Sequence, residues 1–233
     1  MSLIQSYYLE RIAISSLLKS SEKKLNLRHR LSLSENSKLL DYGCGFGNST
    51  IQAENDGFIA LGFDTSTYKI RFAKPFKKRK KAHFIIASAG KAPFRKNSFD
   101  VVYCNHVLEH LSDDNLALNE IWNILKNKGF LVLTVPNKNN LATSLNLRMN
   151  RKFPYTDKTH FREYGEAALK NLLRKNCFTI IETTANDFVP PIASKLFHFL
   201  VIYLQLKGLT GFLAKGFPKR SLEIQIIASK TSS

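Results

Sequence analysis

The sequence predicts an α/β fold, a doubly wound and mostly parallel sheet in a single domain, on three observations. Short apolar runs alternate with helical patterns from about residue 38 to residue 183, which is the signature of βαβ units. The first of these runs, Leu39-Leu40-Asp41-Tyr42, breaks into Gly43-Cys44-Gly45-Phe46-Gly47 and then opens a helix at Asn48. The chain has 233 residues, 44% of them hydrophobic and 23% charged, which is enough to bury a full core and excludes a disordered chain.

Taken in order, Ile4, Tyr7, Tyr8, Ile12 and Leu18 recur at helical spacing, so residues 1–34 are read as a helical cap led by an amphipathic helix. Glu10 and Arg11 interrupt its apolar pattern and no basic leader precedes an unbroken apolar stretch, so no signal peptide is expected. Strands are expected near 38–42, 58–64, 83–87, 99–105 and 130–136. A helix near 163–175 precedes a strand at 178–183. The alternation Leu222-Glu223-Ile224-Gln225-Ile226-Ile227 reads as a last strand with one wet face. No internal repeat and no linker marks a second domain.

The chemistry concentrates after the first two strands. Glycines at 43, 45 and 47 let the backbone turn sharply and approach a ligand that a Cβ would push away. The dinucleotide fingerprint would require a further glycine where Asn48 stands. The run Phe58-Ile59-Ala60-Leu61-Gly62-Phe63 ends in Asp64, whose carboxylate can accept hydrogen bonds from both hydroxyls of a ribose. The same residue could instead cap the next helix through Ser66 and Thr67.

These runs, with Phe84–Ala89, Ala92-Pro93-Phe94, Ser98–His110, Glu120–Lys126 and Gly129–Asn137 following in unbroken order, resemble the class I S-adenosylmethionine-dependent methyltransferases. The resemblance covers roughly 36–185 and is closest to the branch holding the quinone-biosynthesis enzymes and many small-molecule and glycolipid enzymes. It implies a Rossmann-like sheet of seven strands, the last antiparallel and inserted beside the sixth, in a methyltransferase domain over 35–233. It implies S-adenosyl-L-methionine as cofactor, held by Asp41, Gly43, Gly45, Gly47, Asp64, Ser88, Ala89, Asn105 and His106. The family often carries an acid where Ser88 stands, to accept the adenine amino group; a serine hydroxyl and the Ala89 backbone would serve more weakly.

A sulfonium methyl group is already a strong electrophile, so the protein must mainly align the nucleophile and exclude water, while an oxygen nucleophile gains from a base or a metal. Candidates are His106, Glu109, His110 and His160. A helical turn beginning near His106 would put its i, i+3 and i+4 positions on one face. Quinone O-methyltransferases and small-RNA 2′-O-methyltransferases carry Glu-x-x-Glu-His here, with a divalent ion. His106 replaces the first glutamate, so no metal is expected; His110 and His160 are the catalytic candidates, the alternative for His160 being a hydrogen-bonded loop histidine.

Two segments carry the question of the acceptor. Residues 137–162 form a connection long enough to act as a lid, with Arg148, Arg151, Lys152, Phe153, Tyr155 and His160 on it. Residues 190–217 form an apolar insertion in which 192–207 read as a helix, either a cap over the site or an element lying in a membrane interface. The formal charge of +17 favours anionic partners, and its densest run, Lys74 with Lys77–Lys81, is either a solvated face or a docking patch for membrane or RNA. Cys44, Cys104 and Cys177 have no metal or disulfide spacing and are read as buried thiols of a reducing compartment.

The reading is a cytoplasmic enzyme, peripherally associated with membrane, that methylates a hydroxyl of a small apolar or lipid-linked acceptor, at an anionic membrane surface. The alternatives are an RNA methyltransferase, disfavoured because no RNA-binding module is appended, and a non-catalytic partner subunit, disfavoured by the intact loop and Asp64.

Overall fold

The computed structural model describes residues 26–73, 82–140, 159–186 and 223–231. The expected leading helix, the basic run at 74–81, the body of the lid connection at 141–158 and the apolar helix at 192–207 lie outside the described residues.

The described elements are α1 (Leu27–Arg30), β1 (Lys38–Tyr42), α2 (Asn48–Asn55), β2 (Ile59–Asp64), α3 (Thr67–Ala73), β3 (His83–Ile86), β4 (Phe99–Asn105) and a 3₁₀ turn at Leu108–His110. They continue with α4 (Asp114–Ile124), β5 (Leu125–Pro136), α5 (Glu166–Lys175), β6 (Phe178–Asn186) and β7 (Glu223–Lys230). The sheet has seven strands in the order β3-β2-β1-β4-β5-β7-β6. Pairings from β3 to β5 are parallel, and β7 lies antiparallel between β5 and β6, as expected.

Successive side chains of a strand face opposite sides of a sheet, and both sides here are covered. On one face Leu40, Tyr42, Val102, Cys104, Leu131 and Leu133 pack against Leu118 and Ile121 of α4 and Leu169 and Leu173 of α5. On the other, Leu39, Val101, Tyr103 and Val132 pack with Ala53 and Phe58, while Ile70 and Ala73 of α3 pack with Phe84. The order of strands reverses between β1 and β4. Ligands of open α/β sheets bind in the crevice at such a switch point, outside the carboxyl ends of the strands. The Gly43–Gly47 loop and the His106–His110 turn both open from that edge.

The described part of the expected cap, 26–34, holds one short helix, Leu27–Arg30, flanked by positive φ at Asn26 and Ser32. Two expectations need correction. The fifth strand begins at Leu125, because α4 ends directly into it and its pairing with β4 shifts register before Phe130. Cys177 is exposed at the turn between α5 and β6, whereas Cys44 and Cys104 are buried.

Candidate active site

The three loop glycines have positive φ, of 75°, 54° and 80° at Gly43, Gly45 and Gly47, but they are there for different reasons. A Cβ on Gly43 would meet Val107 at 2.5 Å, and one on Gly47 would meet the Phe84 ring at 2.5 Å, so both are demanded by packing. A Cβ on Gly45 would meet nothing within 4 Å. Gly45 therefore lines open space at the switch point: its positive φ already favours glycine, and the bare backbone leaves room for a ligand.

Asp64 sits across from it. Its Oδ2 accepts from the Gly45 N–H at 3.0 Å and its Oδ1 from the Ser66 N–H at 2.8 Å. Asp64 thus reaches toward the start of α3, as the capping reading expects, and also clasps the glycine loop. Each oxygen keeps further acceptor capacity, which suits a ribose diol. Asp41, 2% exposed, points the other way, with Oδ2 accepting from Thr50 Oγ1 at 2.6 Å. Burial pushes its pKa up to about 7 despite the lowering effect of the Thr50 bonds. Its visible role is to join β1 to α2 and so fix the loop between them.

The turn after β3 brings Ser88, exposed, and Ala89 toward the same edge. Ser88 Oγ is 3.4 Å from the Ala89 carbonyl oxygen. Asn105 ends β4.

His106 departs from the expected helical turn. It has φ +52°, and only Leu108–His110 form a 3₁₀ turn. Its Nδ1 lies 3.2 Å from Glu109 Oε1 and its Nε2 2.9 Å from Glu223 Oε1 on β7. Burial disfavours an imidazolium here, but the bonds to the two carboxylates outweigh it and raise the pKa to about 10. A ring whose two N–H groups are both donated holds its proton at neutral pH and is not a base. His106 is thus a clasp between the turn and the last strand.

His110 and His160 do come together, with ring centroids 4.7 Å apart and edge to face. His110 Nδ1 is 3.0 Å from Thr159 Oγ1 and 3.3 Å from the Thr159 carbonyl oxygen. Donation from Nδ1 to that carbonyl leaves Nε2 as the accepting nitrogen. With Thr159 and Phe161 the two histidines line an open cavity of about 380 Å³. Glu109, 1% exposed, lies close to them, its Oε2 without a hydrogen-bond partner among the described residues. One ligand atom each from Glu109, His110 and His160 lie within 4.8 Å of one another, so these three could hold a divalent ion.

The two ends of the lid connection are anchored side by side. The Lys138 backbone N–H donates to the Tyr164 carbonyl at 2.9 Å, and the Phe161 N–H to the Glu109 carbonyl at 2.8 Å. Arg162 pairs with Asp114 at 2.7 Å and donates to the Ser112 carbonyl at 2.7 Å, while Tyr164 Oη donates to Asp114 at 2.9 Å. This brings His160 over the 3₁₀ turn. Sequence reasoning passed over Glu223 and the Asp114–Arg162–Tyr164 network, because their partners lie far away along the chain and leave no local spacing to read.

Comparison with known proteins gives the same picture. A family profile described as a methyltransferase domain matches residues 40–133. The chain is 40% identical over 128 residues to an uncharacterised protein of Methanocaldococcus jannaschii, covering 55% of this chain and 49% of that one. It is 30% identical over 167 residues to an O-methyltransferase of Aspergillus nomiae, covering 66% of this chain and 70% of that one. It thus spans about half the length of the first relative. A solved S-adenosylmethionine-dependent methyltransferase of Methanosarcina mazei superposes with a TM-score of 0.65 at 20% identity, over 89% of this chain and 98% of that one.

Proposed function

This chain belongs to the class I S-adenosylmethionine-dependent methyltransferases, and we propose that it methylates a hydroxyl of a small apolar or lipid-linked acceptor. The observation that carries the cofactor half is the pairing of open space at Gly45 with the Asp64 carboxylate bonded across it. A cradle that a Cβ would fill, beside an acceptor-only side chain, fits the ribose and sulfonium arm of S-adenosyl-L-methionine. Bound there, the cofactor would supply an electrophilic methyl group. The chain supplies the rest: Asp64 takes the ribose hydroxyls, Ser88 and Ala89 face the adenine edge, and Gly43 and Gly47 set the loop.

In this reading the acceptor enters the cavity lined by His110, Thr159, His160 and Phe161. An imidazole of His110 or His160 takes the proton of the attacking hydroxyl, a contribution of about 10²–10⁴ in rate. The name of the Aspergillus relative, an O-methyltransferase, agrees with an oxygen acceptor. A second reading is favoured by one observation, the unpartnered Oε2 of buried Glu109 beside both histidines: a divalent ion could lower the hydroxyl's pKa there instead.

The apolar composition of 190–217 and the charge of +17 support an acceptor presented at an anionic, cytosol-facing membrane, with RNA the less favoured partner. Among the described residues no helix is long and apolar enough to cross a membrane. Transfer of labelled methyl from S-adenosylmethionine to lipid extract, RNA and small phenols tests the reading. Label in an extractable lipid or phenol supports it; label in RNA alone assigns the protein to the RNA enzymes. No transfer together with no binding of S-adenosylhomocysteine would leave the non-catalytic subunit.

A further inference from the structure

We propose that Glu120 and Tyr42 are positioning residues that fix the Ser88–Ala92 turn and thereby set the protein's discrimination for adenine; this rests on the cofactor reading above. Glu120 projects from α4 and is half-buried, and its carboxylate collects three donors. The Gly90 N–H reaches Oε2 at 2.8 Å, the Ala92 N–H reaches Oε1 at 2.6 Å, and Tyr42 Oη donates to Oε2 at 2.6 Å. Gly90 N–H also lies 3.0 Å from Tyr42 Oη. Burial, then the neighbouring carboxylate, raises the Tyr42 hydroxyl well above the usual phenol range, so it stays a donor.

Tyr42 is fully buried at the end of β1, immediately before Gly43. One side chain pair therefore sets the spacing between the loop that would hold the ribose and the turn that would face the base. That spacing matters more here than usual. With Ser88 exposed and only a hydroxyl to offer, the base is read chiefly by backbone, and a backbone N–H at Ala89 discriminates only if it is held still. A fixed N–H donor accepts adenine N1 as partner and is opposed by the N1–H of hypoxanthine. Glu120 and Tyr42 supply the fixing without themselves touching the base, since both act on the Gly90 and Ala92 side of the turn.

Calorimetric titration of the full chain with S-adenosylhomocysteine and S-inosylhomocysteine tests this, on wild type, Glu120→Gln and Tyr42→Phe. Wild type should prefer the adenosyl ligand at least tenfold. In Glu120→Gln the amide group presents a donor to the Gly90 or Ala92 N–H, and adenosyl affinity should fall about tenfold while the adenosyl-to-inosyl ratio moves toward one. Tyr42→Phe, which keeps the ring in the core, should shift the ratio in the same direction by a smaller factor. A folded variant whose affinity drops equally for both ligands, leaving the ratio as in wild type, would overturn the proposal. Should Glu120→Gln not fold, an unchanged ratio in Tyr42→Phe overturns it equally. Wild type that binds neither ligand would instead remove the cofactor reading itself.

Discussion

The most discriminating perturbation contrasts two glycines of one loop, Gly45→Val against Gly47→Val. Both residues have positive φ, so a side chain at either is strained by about 1–3 kcal/mol. The surroundings then separate them. At Gly47 the new Cβ would stand 2.5 Å and 2.7 Å from carbons of the Phe84 ring and 3.0 Å from Ala73 Cβ, a core overpacking that adds about 1–3 kcal/mol. At Gly45 no other atom of the described residues lies within 4 Å of the added Cβ, so backbone strain is the loss expected there. With about 2–4 °C of melting temperature per kcal/mol in a chain of this size, Gly45→Val should melt a few degrees below wild type and Gly47→Val roughly twice as far below. Binding should reverse the order of severity per degree lost. The valine branches at position 45 fill the space assigned to the cofactor, and S-adenosylhomocysteine affinity should fall at least tenfold, about 1.4 kcal/mol. Scanning calorimetry and titration calorimetry on the same samples read both quantities. A folded Gly45→Val that binds S-adenosylhomocysteine as tightly as wild type would refute the assignment of that open space.

The other expectations follow from named contacts. Asp64→Ala should abolish cofactor binding and also lower stability, because the Gly45 and Ser66 N–H groups each lose a charged acceptor worth about 1.5–3 kcal/mol; melting and titration together check it, and unchanged affinity refutes it. His160→Ala and His110→Ala should each lower kcat with little change in cofactor affinity, whereas full activity in both would remove the base from the cavity. Turnover should survive chelation; a large loss restored by magnesium, manganese or zinc would make Glu109, His110 and His160 ligands instead. His106, raised from an ordinary 6.5 to about 10, contributes stability that is complete below about pH 6.5 and declines as pH rises through 10. Wild type should therefore lose more melting temperature between pH 7 and pH 10 than His106→Gln does, and parallel curves would show that the clasp contributes nothing.

What could be read from the sequence was what is local. The strands, the glycine loop and Asp64 are each set by residues within a few positions of one another, since an apolar run or a turn declares itself by spacing. The capping role of Asp64 was legible through Ser66, while its bond to the Gly45 N–H was not. What the sequence left out shares a cause. A helical turn at His106 would put i, i+3 and i+4 on one face, but a left-handed backbone at 106 turns the ring toward Glu223, a partner more than a hundred residues on. Asp41, assigned to the cofactor by resemblance, is also tied to α2 through Thr50, a bond that no spacing within β1 announces. Glu120 enters the sequence reading only as the first residue of a run that carries the resemblance, with no role of its own. Its three donors come from β1 and from the turn after β3, and only the doubly wound sheet brings those two beside α4. The groups proposed to touch a ligand are the ones motif spacing offers, while the groups that hold them arise from pairings that exist only once the sheet has closed. For this chain Tyr42, Glu120 and Glu223 are of the second kind, each joining elements that only the closed sheet brings together.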